Sequence, residues 1–337
     1  MIRDYGSRIT NAAMLRTMKK IRRVYAQAER ELNRKLLAFR KRFAADQLRM
    51  MKDLASGKIT KPQYDSWMRG QVFIGERWQE KVKQAAGIFG KANFKAHQII
   101  NRIKLWVFGE NYNWNAYQTE IQTGISFDIY NEDAVERLIT ENPSLLPEWK
   151  IDEQKDYTWN RQKVENAVTQ GIIQGEGVDQ IAERLARELK STNMNKMRMF
   201  ARTAMTGAQN AGRQKQMEDA IARGIDIEKQ WIATLDDRTR DTHQKLDGQT
   251  VPVKEAFHVG TKHGPAQIRY PGDPSASPAL VYNCRCTMKS VFKGINDKNR
   301  TRIAYRTNAQ GYRESYKVSN MTYEEWKKWK VENGEQH

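Results

Sequence analysis

Trp231-Ile232-Ala233-Thr234-Leu235-Asp236-Asp237-Arg238-Thr239-Arg240-Asp241-Thr242-His243 opens a stretch unlike the rest of the chain. It passes through Leu246-Asp247-Gly248-Gln249, Phe257 and Tyr270-Pro271-Gly272-Asp273-Pro274, then closes at Asn283-Cys284-Arg285-Cys286 and Phe292. Both cysteines and three of the five histidines lie here, so any thiol or metal chemistry is concentrated in this segment. Asp247-Gly248 and Pro271-Gly272-Asp273-Pro274 are turn sequences. The stretch therefore reads as a small module of short strands and turns, whereas the rest reads as long helices. The fold class that follows is α+β: a long N-terminal helical hairpin and a helical middle region, followed by a small β-containing C-terminal module.

Leu280 to Phe292 reads as a strand, with Cys284, Cys286 and Met288 on one face and Arg285, Thr287 and Lys289 on the other. Two thiols at i and i+2 on one face can chelate one metal, with His243 as a third ligand and His258 or His263 as a fourth, the donor set of a structural zinc. The alternative is that Cys284 and Cys286 are ordinary small buried residues, with His243 bonded to Asp236 or Asp237. A disulfide between i and i+2 would be strained. Asp236, Asp237, His243 and Asn283 also invite a nuclease reading, but no second acidic cluster for two-metal chemistry is evident. Asp237, Thr239 and Asp241 are expected to cap a short helix, and Arg238 and Arg240 to pair with the acids around the turns. The chain has no P-loop, dinucleotide fingerprint or serine nucleophile elbow.

Taken in order, Trp231, Asp237 to Arg240, His243, Leu246-Asp247-Gly248, Pro271 to Pro274 and Asn283 to Cys286 resemble the C-terminal domain of the phage minor head proteins, the family of the phage Mu F protein and the SPP1 portal-associated head protein. The resemblance extends less sharply back to about residue 155. It implies a structural component of the virion at the portal vertex, made in the host cytoplasm and placed inside the capsid. Head morphogenesis, and DNA packaging or ejection, are the roles it implies. The partners implied are the portal protein and a scaffold or major capsid protein. It implies no enzymatic activity. Relatives are expected to carry an acid near Arg202-Thr203, where this chain has Ala204 or Met205. Thr322-Tyr323-Glu324-Glu325 is a capping box before Trp326 and Trp329, and this ending also resembles the family's. The competing reading is a metal-dependent nuclease or toxin-like effector built on the same module; only a short tail follows Phe292, which counts against the toxin version.

Outward from the module, helical periodicity dominates. Met14, Met18, Ile21, Tyr25, Ala28, Leu32, Leu36, Phe39 and Phe43 form one stripe at steps of three and four. Arg16, Lys19, Lys20, Arg22, Arg23, Arg34, Lys35, Arg40, Lys41 and Arg42 lie between them and are the candidate nucleic-acid contacts. Residues 1–10 look frayed. Gly57 stops the helix, and Thr60-Lys61-Pro62-Gln63 is a capping box with an early proline that starts its antiparallel partner. Gly87 and Gly90 are possible bends in that partner. Asn131 can cap a short helix, and Pro143 and Pro147 force irregular chain. Val164, Val168 and Ile172 mark one helix, Gly175-Glu176-Gly177 a turn, Ile181, Leu185 and Leu189 a second helix, and Ala201, Ala204, Ala208 and Ala211 a third. The expected divisions are a basic helical hairpin over 1–110, an irregular connection over 111–156, a head-morphogenesis helical region over 157–225, the α+β module over 226–293, and a basic tail over 294–337.

Net charge is +18, from 58 Lys and Arg against 40 Asp and Glu, which points to a polyanionic partner bound without sequence reading. Two cysteines exclude a disulfide framework. No signal peptide pattern and no apolar run long enough to span a bilayer is evident, so the product is expected to fold in the cytoplasm with no membrane segment.

Overall fold

A computed structural model describes residues 4–70, 76–148, 150–174, 176, 178–293, 301–307 and 313–319, the last two ranges as backbone strands. The expected glycines of the 175–177 turn and the terminal helix with Trp326 and Trp329 lie outside the described residues. So do the side chains of Phe39, Arg40, Arg42 and Ile172.

Helices α1 (Tyr5–Ala55), α2 (Lys61–Arg69), α3 (Glu76–Thr123), α4 (Glu132–Glu141), α5 (Glu153–Ile173) and α6 (Val178–Ala222) come first. The module then runs β1 (Ile227–Ile232), α7 (Asp241–Leu246), β2 (Thr250–Pro252), β3 (Phe257–Thr261), β4 (Gly264–Ile268), α8 (Pro278–Val281) and β5 (Thr287–Phe292). Strands β6 (Thr301–Thr307) and β7 (Arg313–Ser319) form an antiparallel pair. The chain divides into two compact units. One comprises Met1–Arg16, Ile100–Glu148 and Met199–His337; the other comprises Thr17–Ile99 and Trp149–Arg198.

The second unit is all helix. Met18, Ile21, Tyr25, Ala28, Leu32, Leu36 and Phe43 of α1 are buried, as their spacing predicts. Gly57 has φ of 75°, a left-handed stop that costs glycine little. Thr60 caps α2: Gln63 N–H donates to its hydroxyl, and the Gln63 side chain accepts from its backbone N–H at 2.8 Å. Phe43 and Trp67 stack with centroids 5.5 Å apart, which makes Trp67 a packing residue. A buried polar knot joins α1, α3, α5 and α6. Asn93 Nδ2 donates to Asp156 Oδ2 at 2.8 Å and to Asn193 Oδ1 at 2.7 Å, and Lys196 Nζ pairs with Asp156 at 2.8 Å. Tyr25 also donates to Asn93, and burial beside Asp156 pushes its phenol up.

In the first unit, β1 is the central strand of an antiparallel sheet ordered β2-β1-β5, with Trp231 opposite Met288. Strands β3 and β4 form a separate hairpin. The core is built from Val107, Phe108 and Tyr112 of α3, Met205, Ala208, Ala211 and Met217 of α6, and Ile227 and Met288 of the sheet.

The structure corrects several sequence expectations. Residues 5–10 are helical rather than frayed, because Arg213, two hundred residues on, pairs with Asp4 at 2.6 Å, and Asn111 donates to Thr10 at 3.0 Å. Helix α3 continues to Thr123, so only part of 111–156 is irregular. Its inner face there carries Asn111, Asn115 and Thr119, all buried, and these polar residues conceal the helical period. Gly87 and Gly90 lie inside α3 without ending it. The second and third helices expected after Gly177 are one helix, α6. Asn131 does cap α4, its Oδ1 accepting from Ala134 N–H at 2.8 Å.

Close approach sets one glycine. A Cβ on Gly212 of α6 would lie 2.3 Å from the Phe108 carbonyl oxygen of α3. Gly212→Ala is expected to destabilise the first unit by about 1–3 kcal/mol, since helix backbones must separate to admit the methyl. Urea denaturation of full-length wild type and variant checks this; equal midpoints would contradict the close packing.

Candidate functional site

The described residues that converge on a possible metal position are His243, Cys284 and Cys286, all buried, with donor atoms within 4.8 Å of one another. His243 comes from α7. Its Nδ1 lies 3.4 Å from Cys286 Sγ and 3.7 Å from Cys284 Sγ. Its Nε2 lies 2.9 Å from the Leu280 carbonyl oxygen. A carbonyl only accepts, so in the neutral ring Nε2 carries the proton and Nδ1 presents its lone pair to the sulfurs. The Cys286 backbone N–H also points at Cys284 Sγ, at 3.4 Å.

The cysteines do not lie on a strand from Leu280. Residues 278–281 form α8, Asn283 takes φ of 57°, and β5 begins only at Thr287. Asn tolerates this left-handed conformation better than most residues, and it turns the chain so that both thiols face inward. Helix α6 holds the turn: Asn283 N–H donates to Thr203 Oγ1 at 3.1 Å, and Thr206 Oγ1 donates to the Cys284 carbonyl at 2.8 Å. The hydrogen bond with Cys286 holds the Cys284 thiol below its usual range, while burial pushes Cys286 well up.

Around the thiols the other motif residues are mostly architectural. Trp231 is fully buried and meets His243 and Phe257 edge-on, with centroids 5.5 and 5.3 Å away. His243 contacts neither Asp236 nor Asp237 through the hydrogen bond expected of it; the ring is committed to Leu280 and the sulfurs. Asp236 is the buried acid and forms a two-toothed pair with Arg285, one arm at 2.8 Å. Asp237 is exposed. Arg238 is also exposed and reaches Asp236 only at 3.9 Å. Arg240 donates to the Tyr282 carbonyl rather than to an acid. It also occupies the N-cap of α7 without a side-chain cap bond, so the expected capping by Asp237, Thr239 or Asp241 does not occur. Asp247 accepts from Ala233 N–H at 2.7 Å, and Gly248 follows with φ of 81°. Pro271 and Gly272 press against α6, where a Cβ on Gly207 would lie 2.8 Å from the Gly272 oxygen. His258 is exposed on β3 opposite Gln267, and His263 is exposed at the β3–β4 turn; neither joins the thiols.

One residue escaped the sequence reading. Lys229 is fully buried in β1, with Nζ 2.8 Å from the Arg269 carbonyl and 3.2 Å from Gln214 Oε1. Burial pushes its ammonium down to about 8. The alternation that buries Ile227 and Trp231 places Lys229 on the same face, so period two was the available signal.

Of the candidate nucleic-acid residues, Arg16, Lys19, Lys20, Arg22, Arg23, Arg34, Lys35 and Lys41 are exposed on α1.

Comparison with known proteins places this site within a family match. The model of the Phage Mu protein F like protein family matches residues 162–289, which includes α7 and both cysteines. The chain is 30% identical over 268 residues to Minor head protein GP7 of Bacillus phage SPP1, covering 76% of this chain and 78% of that protein. It is 36% identical over 139 residues to a protein of Enterococcus faecalis named NAD(+)--arginine ADP-ribosyltransferase EFV, covering 41% of this chain but 27% of that protein. An uncharacterised protein of Methanocaldococcus jannaschii is 26% identical over 137 residues, covering 40% of this chain and 18% of that protein. No solved structure matches the chain.

Asp273 offers a test of the turn that packs on α6. Burial alone would raise its carboxyl, but hydrogen bonds from Arg269, at 2.7 and 2.9 Å, and from Ser275 hold it below the ordinary range. Its folded pKa is thus below its unfolded one. Its contribution is full above the unfolded value and is lost as pH falls through the folded value. Asp273→Asn is expected to cost about 1–3 kcal/mol near neutrality and to flatten the loss of stability in acid. Denaturation across mildly to strongly acidic pH checks it; parallel acid profiles would contradict it.

Proposed function

Because this chain belongs to the phage minor head proteins, the family of the phage Mu F-like proteins, we propose that it acts in head morphogenesis at the portal vertex. The observation that carries this reading is the match to a minor head protein over three quarters of both chains, which takes in far more than the short C-terminal motif. In this reading the protein sits inside the capsid and binds the portal protein, with scaffold or major capsid protein as further partners. The exposed Lys and Arg of α1 give it a surface for packaged DNA, touched through phosphates without sequence reading. Such a surface suits a role in packaging or ejection. Among the described residues no helix is long and apolar enough to cross a membrane, and the reading requires none.

The enzymatic alternative is weaker. The relative named as an ADP-ribosyltransferase shares 27% of its own length with this chain, and its name describes that whole protein. Among the described residues, the group suited to a metal contains no carboxylate, and Asp236 is tied to Arg285. That is not the acid cluster of two-metal phosphodiester cleavage.

Co-expression with the portal protein of the same genome, followed by size-exclusion chromatography, tests the assembly role. Co-elution is expected, and separate elution with portal assembly unaffected would count against it. For DNA, exchanging Lys19, Lys20, Arg22 and Arg23 for Gln is expected to weaken binding of unrelated duplexes alike. It should reduce the slope of log affinity against log salt by about one for each phosphate that is no longer neutralised. Affinity that does not change with salt would contradict the electrostatic contact.

A further inference from the structure

We propose that His243, Cys284 and Cys286 bind one zinc ion that staples α7 to the turn before β5. Three independent features of the geometry point to it. First, both sulfurs approach the same nitrogen, at 3.4 and 3.7 Å. An ordinary S–H···N hydrogen bond would need only one of them. Zinc–sulfur and zinc–nitrogen bonds of about 2.3 and 2.0–2.1 Å give tetrahedral S···N edges of about 3.5 Å, the spacing already present. Second, the far side of the ring is fixed. Nε2 donates to the Leu280 carbonyl, the outer-shell arrangement that holds a metal-binding imidazole in one tautomer and one orientation. Third, the Cys286 N–H points at Cys284 Sγ, a donor suited to a thiolate rather than a thiol.

Charge and place agree with this. The site lies among Trp231, Leu246, Phe257, Leu280 and Val281, where an uncompensated ion would be costly. A divalent ion with two thiolates and a neutral imidazole has no net charge. Binding releases the two thiol protons to solvent, so occupancy weakens in acid. Among the described residues these three are the ligands that converge, and His258 is exposed on β3 away from them. The role is structural: this module has a small apolar core, and a cross-link between two short elements compensates for it.

The test uses the full-length, untagged chain purified from zinc-supplemented cells and passed through metal-free buffer. Elemental analysis is expected to find about one zinc per chain, and a strong chelator is expected to lower the melting temperature by about 10 °C or more. Replacing zinc by cobalt is expected to give a near-ultraviolet thiolate-to-cobalt band and intense visible bands of a tetrahedral centre. Cys284→Ser and Cys286→Ser should lose both metal and band, while His258→Ala keeps both. Should a serine variant fail to fold, the wild-type metal content and cobalt spectrum decide alone. Helical, folded wild type with under about a tenth of a zinc per chain would overturn the proposal. So would bound cobalt without a thiolate band, or zinc retained in both serine variants.

Discussion

One buried polar face of α6 holds the first unit together. Thr203, Thr206, Asn210, Arg213 and Gln214 are all buried, and each bonds to a turn or to the outer edge of β5 packed on the helix. Asn210 is the busiest. Its Nδ2 donates to the carbonyls of Thr206, Pro271 and Cys286, and its Oδ1 accepts from Met288 N–H at 3.1 Å. Arg213 donates to the Met288 carbonyl at 2.8 Å and pairs with Asp4. Gln214 donates to the Val253 carbonyl at 2.8 Å. A turn-rich module cannot satisfy its backbone in a wide sheet, so the helix supplies the missing donors and acceptors. Such a network is favourable only when complete, because a single missing partner leaves a buried group unpaired.

The same face explains why α6 needs small residues beside its polar ones. Gly207 and Gly212 admit backbone from the Gly272 turn and from α3, and Ala204, Ala208 and Ala211 are buried beside them. The cysteine turn can then hang from Thr203 and Thr206 with its thiols facing His243. Sequence, packing and site are thus linked in one direction. The helix positions the turn, and the turn positions the sulfurs.

The long helices were legible because apolar residues recur at three and four, and because Gly57, Thr60 and Asn131 carry their own stop and start signals. The Trp231 to Cys286 motif was legible as a family resemblance, and the family match supports it. What was hidden is non-local. Nothing near Asp4 announces Arg213, and nothing near Asn111 announces Thr10. A helix face built from Asn, Thr and Gln looks like a loop to a reader counting apolar residues. The strand expected from Leu280 failed for a related reason. Asn283 takes a left-handed conformation that a period-two reading cannot represent, yet Cys284, Cys286 and Met288 are all buried as that reading required.

Function follows at two levels. The chain belongs to the phage minor head proteins, and the exposed basic residues of α1 are the surface proposed for a polyanionic partner. The C-terminal module hangs from α6 through these buried bonds, so its order depends on that helix face. Amide hydrogen exchange on the full chain, wild type against Asn210→Ala, probes that dependence at its source. Protection is expected to fall together at Met288, at the Asn283–Cys286 turn and at Gly272–Asp273, segments distant in sequence that share one side chain. Loss confined to α6 around position 210, with those segments still protected, would contradict the dependence.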